Sequence, residues 1–344
     1  MKQKLLIFAA DLLIAALLLG GIYSTNYLVP QKGVEAQTMS VRPTEENISV
    51  QTQTESSTEE LRRTKVSFDT EDWHQKFADK FTDTVVSTDT SYTSPNVSVK
   101  LTYDSFRTNR LDSSEKGNHL KYGTNVSYVL ADIYIGDITC FQTCFAENIY
   151  GVGHSELLTS MSERMKSILA VNGDSYSNSR HQNNGTIIRN GVIYRAQPTD
   201  METCVLNWDG TMKIYSPEEL NTSQLIESGA YQSWVFGPSL LDENGKAKTS
   251  FQTWDYIRES HPRTAIGYYE PGHYCLLVVD GRQDSSRGMF LDEMAGLFQK
   301  LGCKAAYNLD GGHCSFMTMG NQVANSPYSP SHRIQDGIFI TEGL

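Results

Sequence analysis

The sequence predicts an α+β fold: a single mixed-sheet globular domain with flanking helices, behind an N-terminal transmembrane helix and a flexible stalk. Three observations lead there: a long apolar run near the N-terminus, a following stretch without aromatic residues, and alternating strand-like and helix-like apolar patterns that continue to the C-terminus. A hydrophobic content of 39% with 10% aromatics can fill a core, which excludes disorder throughout. The 29 basic against 40 acidic side chains give a net charge of −11, the wrong sign for a nucleic-acid binder.

Lys2 and Lys4 precede the run from Leu5 to Ile22, close to the ~20 apolar residues that cross a hydrocarbon core. Few basic residues follow it, so the positive-inside rule keeps the N-terminus cytoplasmic and places the body outside the membrane. Asp11 weakens this span, but the length of the run and the lack of a small-residue cleavage site favour an uncleaved signal anchor over residues 1–30. Residues 31–66 are dominated by Gln, Thr, Ser and Glu and bury too little apolar area to offset ordering entropy, hence a disordered polar stalk.

Over 67–96, Trp73, Phe77 and Phe81 recur every four residues behind the cap-like Ser67, Asp69 and Thr70, which predicts a short amphipathic helix and linker docked on the body. The body itself is expected over 97–344. Period-two alternation marks strands at Val97–Tyr103 and Val126–Ile135, and helical spacing marks Ser155–Ser167, feeding a strand at Ile168–Val171. Ile187–Tyr194 reads as a hairpin, because Asn190-Gly191 supplies the two positive φ angles of a type I′ turn. Farther on, a strand at Tyr274–Val279, a helix at Met289–Leu301 and a strand at Ala305–Leu309 suggest a parallel crossover whose strands both end in acidic, glycine-rich turns at one sheet edge. Six cysteines outside the cell suggest disulfides of open connectivity, with buried free thiols as the other reading.

Several constellations carry chemistry. Asn172-Gly-Asp174 follows a strand and offers an amide and a carboxylate, although an Asx-type turn explains it equally. His261-Pro-Arg263-Thr264 brings a planar donor fork suited to a phosphate or carboxylate, or else a structural ion pair. Asp280-Gly-Arg282 and Asn308-Leu-Asp310-Gly-Gly312 together offer carboxylates beside amides freed by glycines, the makings of an anion nest. The same oxygen-rich edge, with Asp280, Asn308 and Asp310, also suits a hard cation such as Ca²⁺. His313 and Cys314 are adjacent and point to opposite sides of an extended chain, which argues against a Cys/His nucleophile.

The ordered set Ala170-Val-Asn-Gly-Asp174, Asn190-Gly191, Phe236-Gly-Pro-Ser-Leu240, His261-Pro-Arg-Thr-Ala-Ile-Gly267, Val279-Asp-Gly-Arg282, Gly288-Met289, Asn308-Leu-Asp-Gly-Gly312 and Asn325-Ser-Pro327 resembles the phosphodiester glycosidase family, over roughly Val97 to Leu344. The resemblance implies an α+β hydrolase, without a cofactor, that cleaves the C–O bond of a sugar-1-phosphodiester. With the topology above, it points to a membrane-anchored extracellular enzyme acting on cell-envelope or exopolysaccharide glycans. It implies Asp310 as the catalytic carboxylate with Asp174 or Glu293 as its partner. Arg263 and Arg282 are expected on the phosphate, aided by the amides around Gly311 and Gly312. Asn172, Thr264, Asp280, Asn308, Ser315 and Arg333 complete the expected binding set. Two departures stand out: His313 and Cys314 occupy places where the family has small residues, and Ser175 intervenes before the aromatic Tyr176. The competing class is a non-catalytic surface protein that binds envelope glycan through the same edge.

Overall fold

The computed structural model describes residues 13–18, 20, 33–37, 39, 42–43, 62–68, 71–110, 122–175 and 184–344. Most of the expected membrane span therefore lies outside the described residues, and among those described no helix is long and apolar enough to cross a membrane.

In chain order the strands are β1 Val34–Glu35, β2 Val86–Ser87, β3 Ser91–Thr93, β4 Val97–Arg107, β5 Asn125–Ile135, β6 Phe141–Phe145, β7 Ile149–Tyr150, β8 Leu169–Asn172, β9 Thr186–Arg189 and β10 Val192–Ala196. They continue with β11 Thr203–Asn207, β12 Met212–Tyr215, β13 Ala230–Trp234, β14 Arg263–Glu270, β15 His273–Val279, β16 Ala305–Asn308, β17 Met317–Met319, β18 Gln322–Val323 and β19 Asp336–Ile340. The helices are α1 Trp73–Lys76, α2 Leu158–Met165, α3 Thr222–Glu227, α4 Asp255–Arg258 and α5 Leu291–Leu301.

A seven-stranded sheet in the order β16-β14-β15-β5-β4-β3-β2 faces a five-stranded sheet, β18-β17-β8-β19-β6, and a smaller sheet, β12-β11-β13. Val99, Ile133, Ile266 and Leu276 of the large sheet meet Val171, Ile338, Trp234 and Met317 of the other two in the main core. The opposite face of the large sheet packs on α5, where Leu291, Met294, Ala295 and Phe298 form the i, i+3, i+4, i+7 stripe expected of a half-buried helix. Gly302, in the left-handed region at φ 82°, ends that helix.

The α+β class is as expected, but the sheets are not mixed. Every strand pairing among the described residues is antiparallel. β15 and β16 do run in the same direction around α5, yet β14 is inserted between them and pairs antiparallel with both. The expected crossover is thus split. Its consequence for the edge survives, because Arg263 pairs with Val279 and Ala265 with Asn308. The start of β14 and the ends of β15 and β16 therefore sit side by side.

The Asn190-Gly191 hairpin has φ of 51° and 77° at its two turn residues, as a type I′ turn demands. The helix before β8 is shorter than its apolar period and stops at Lys166, which is left-handed at φ 51°. Around Trp73 the helix is a single turn capped by Asp72, whose carboxylate accepts from the His74 and Gln75 amides, not by the earlier Ser67. Trp73 and Phe77 nevertheless bury against the main core. The described parts of 31–66 differ from a free stalk: Val34–Glu35 pairs with Ile149–Tyr150, Arg42 meets Asp137 at 2.7 Å, and Thr64 and Val66 are buried. All six cysteines are free thiols, and the Cys275 and Cys303 sulfurs lie 3.8 Å apart.

Candidate active site

The edge where β14 begins and β15 and β16 end carries a cavity of about 250 Å³. Its walls hold His261, Arg263, Arg282, Asp310, Gly311, Gly312, His313, Cys314 and His332, with Ser175, Phe236, Tyr256, Ile257 and Pro262 completing them. Close backbone contact builds it. A Cβ on Gly311 would stand 2.8 Å from the Pro262 carbonyl oxygen, and one on Gly288 2.3 Å from that of His261, so only glycine lets these three segments meet.

Arg263 is buried and fixed by backbone carbonyls: Nε donates to Met289 O at 3.0 Å, and Nη2 to Ile257 O at 2.6 Å and to Glu259 O. Burial, then the neighbouring Arg282, pulls its pKa down to about 9, which still leaves it a cation at neutral pH. Arg282 is left-handed at φ 57°, which costs a residue with a Cβ roughly 1–2 kcal/mol. That backbone aims its guanidinium over Gly312, where Nη1 donates to the Tyr328 hydroxyl at 2.5 Å and Nη2 to His261 Nδ1 at 3.3 Å. His261 is neutral: burial and then Arg263 push its pKa down to about 3, and its Nε2 proton goes to the Tyr256 carbonyl at 2.5 Å. Among the described residues neither arginine forms an ion pair with a carboxylate.

Asp310 is the one carboxylate among the described residues of the cavity wall. Its Oδ1 accepts from the Gly311 amide at 2.9 Å and its carboxylate is also bonded by the Cys314 thiol, while burial dominates and pushes its pKa up to about 7. Asn172 sets the height of this loop. Its Nδ2 donates to Asp310 O at 2.6 Å, and its Oδ1 accepts from Thr264 Oγ1 at 2.6 Å and from the Phe316 amide at 3.3 Å. His313 packs against Tyr328 and His332, with ring centroids 4.7 and 5.2 Å away.

The expected Arg263, Arg282, Asp310, Gly311 and Gly312 are thus brought together, and the others are not. Asp174 is not part of the cavity wall and accepts from the Val235 and Phe236 amides at 3.1 Å each, 3.6 Å from Arg189. It pins the chain after β13 and does not line the cavity, although its charge is near enough to add to the upward push on Asp310. Glu293 is taken up by the buried Arg287, at 2.6 and 3.1 Å, and by the Phe290 amide at the start of α5. Asn172 and Thr264 act on the loop from behind, and Asn308 is buried with Nδ2 on Gly237 O at 2.7 Å. Asp280 turns to Asn325 and Ser326, Ser315 is buried outside the wall, and Arg333 donates to Ser155 O while its neighbour His332 lines the cavity. The glycine amides form no open nest either: Gly311 N–H is spent on Asp310 and Gly312 N–H on Pro262 O at 2.9 Å. Asp280, Asn308 and Asp310 do not converge, so they make no common calcium site.

His261, His313, Cys314 and His332 are among the wall residues absent from the expected site. His261 sits in the same block as Arg263, so the block was visible; its role as an acceptor for Arg282 was not, since that contact joins residues 21 apart.

Residues 165–341 match the phosphodiester glycosidase family, whose members act on phosphodiester-linked sugars. The SPbeta prophage-derived uncharacterized protein YomE of Bacillus subtilis (strain 168) is 34% identical over 193 residues, 55% of this chain but only 29% of that protein. The auto-inhibited catalytic domain of zebrafish N-acetylglucosamine-1-phosphodiester alpha-N-acetylglucosaminidase is similar in fold, with a TM-score of 0.52 at 20% identity over 71% of this chain and 88% of that one. A hypothetical protein from Synechocystis superposes with a TM-score of 0.50 at 12% identity, over 72% and 62% of the two chains. A family match over half the chain, centred on the segments that build the cavity, leads to one assignment: the chain belongs to the phosphodiester glycosidase family.

Proposed function

We propose that this protein hydrolyses a sugar-1-phosphodiester by breaking the bond between the anomeric carbon and the phosphate oxygen, on an envelope or exopolysaccharide glycan outside the cell, anchored by the apolar segment near its N-terminus. The observation that carries the reading is the pairing, in a single cavity, of one carboxylate, Asp310, with two arginines that have no carboxylate partner among the described residues.

The chemistry follows from what each group can do. A phosphomonoester has a second pKa near 6, so it departs as an anion without full protonation and a strong general acid is dispensable. Arg263, immobilised by carbonyls, and Arg282, held by Tyr328 and His261, supply charge already in place for the phosphate as the bond breaks. With a pKa of about 7, Asp310 is matched to accept a proton from water near neutrality. Water oxygen then bonds to the anomeric carbon, the carbon–oxygen bond to phosphate breaks, and its electron pair leaves on the phosphomonoester. A lone base acting this way inverts the anomeric centre.

Turnover of sugar-1-phosphodiesters by the full chain in ¹⁸O-labelled water tests this. Label in the released sugar, of inverted configuration, is the expected outcome. Label in the phosphate instead makes the reaction a P–O cleavage and removes the glycosidase reading.

A further inference from the structure

Beyond the cavity, the large sheet carries a second concave surface. The inner face of β4 begins with Val97, Val99 and Leu101 in the core and then passes to Tyr103 and Ser105, beyond the reach of the five-stranded sheet. Ser127 on β5 pairs with Ser105 there, and Asp280 follows the end of β15 next to it. The loop after β18 closes the other side, giving a cleft of about 460 Å³ between Tyr103, Asp280, Asn325 and Ser326. A second cavity of about 630 Å³, toward Gln322 and Lys166, shares Tyr103 and Ala324 with it, so the two form one groove. Each is within the ~300–1,000 Å³ of a small-ligand site.

We propose that this groove binds a neutral oligosaccharide chain and so extends the cavity into a site for a polymeric glycan. Tyr103 is 52% exposed in mid-strand and presents its ring at the junction of the two cavities. An exposed flat ring of this kind offers the apolar C–H face of a pyranose something to lie on. Asp280 supplies the polar floor. It is 7% exposed; Oδ1 accepts from Asn325 Nδ2 and the Ser326 amide at 2.9 Å each, whereas Oδ2 has only Ser127 Oγ at 3.5 Å. A half-satisfied carboxylate oxygen at the bottom of a cleft suits a sugar hydroxyl donor. Charge selects the glycan: among the described lining residues, Asp89, Asp280 and Glu342 face the groove against Lys166, which disfavours a polyanion.

The groove and the cavity are neighbours through two short connections. Asp280 lines one and Arg282, two residues on, lines the other; Ser326 lines one, and Tyr328, two residues on, accepts from Arg282. A chain lying in the groove therefore ends beside the arginines. Only that orientation rests on the hydrolase reading, whereas binding in the groove does not.

The test uses the full chain and neutral oligosaccharides of two to six residues (gluco, galacto, manno and N-acetylglucosamine series) that carry no phosphate, titrated by calorimetry and by NMR. Expected is saturable binding that strengthens with length in at least one series, weakened tenfold or more by Tyr103→Ala, kept by Tyr103→Trp and unaffected by Asp310→Asn. Absence of saturable binding in every series overturns the proposal, as does binding indifferent to Tyr103→Ala, or calcium occupying the groove in place of sugar. Because the probes contain no scissile phosphodiester, a Tyr103-dependent affinity survives even if hydrolysis of every phosphodiester fails, and the two readings fall separately.

Discussion

Replacing Asp310 by Asn is expected to abolish turnover and to stabilise the protein, and the second effect can be worked from the burial of the carboxylate. The folded Asp310 carboxyl is pushed up to about 7, against ~3.9 in an unfolded chain. Between these values the folded state holds a proton that the unfolded state has lost, so stability falls as pH rises. The contribution is whole below pH ~3.9 and gone above pH ~7. About three units at ~1.4 kcal/mol each make the loss about 4 kcal/mol, an upper bound because the carboxylate keeps its bonds from Gly311 N–H and Cys314 in either form. Asp310→Asn cannot titrate. Urea melts of both proteins at pH 4, 6 and 8 should show the variant gaining on the wild type by about 2–4 kcal/mol across that range, while kcat/KM on a sugar-1-phosphodiester drops roughly 10²–10⁴-fold. A wild-type-minus-variant difference that stays flat from pH 4 to 8 would refute the account of Asp310 as a desolvated base.

Other substitutions separate the wall of the cavity from what lies behind it. Asp174→Asn removes one of the two carboxylates beside Arg189 and weakens the hold on the Val235 and Phe236 amides, and is expected to cost about 3 kcal/mol in a urea melt with kcat of the folded fraction changed less than fivefold. Loss of all turnover in folded protein would return Asp174 to the catalytic set. Glu293→Gln deprives the buried Arg287 of its carboxylate, so the melting temperature should fall while KM stays put. Arg263→Met keeps the buried stem and removes the charge, and steady-state kinetics should show kcat/KM reduced roughly 10²–10³-fold; an unchanged value denies it contact with the phosphate.

The edge that holds the site was legible because strand direction is written in local patterns. The runs at Tyr274–Val279 and Ala305–Leu309, each leading into an acidic glycine turn, place two turns at one end of the sheet whether the strands touch or not. What lay between them was not legible: β14 pairs with residues up to 43 positions away, a distance over which no periodicity speaks. Carboxylate roles failed for a related reason. Asp174, Asp280, Glu293 and Asp310 are chemically alike in the sequence, and what sorts them is the partner each meets in space: Val235 and Phe236 amides, Asn325 and Ser326, Arg287, and an open cavity. The glycine turn misled in its amides, because Gly311 is needed for close approach to Pro262 and Gly312 for its φ of 65°, while their N–H groups are consumed by Asp310 and by Pro262 O.

That sorting also bears on the proposed substrate. Arg189 has Asp336 at 2.7 Å and Arg287 has Glu293 at 2.6 Å, so these two buried guanidinium groups are each neutralised by a carboxylate. Among the described residues Arg263 and Arg282 have no such partner, in a chain of net charge −11 where acidic side chains are plentiful. Filling the cavity with a neutral glycoside leaves both cations desolvated and unpaired, while a phosphodiester removes that penalty with its own charge. The discrimination grows as the reaction proceeds, since the diester carries one negative charge and the departing monoester close to two. On the proposed reaction, binding energy from these two arginines is therefore realised most fully at the stage where the anomeric bond breaks, which is what would separate a catalyst for this substrate from a surface that merely holds a sugar.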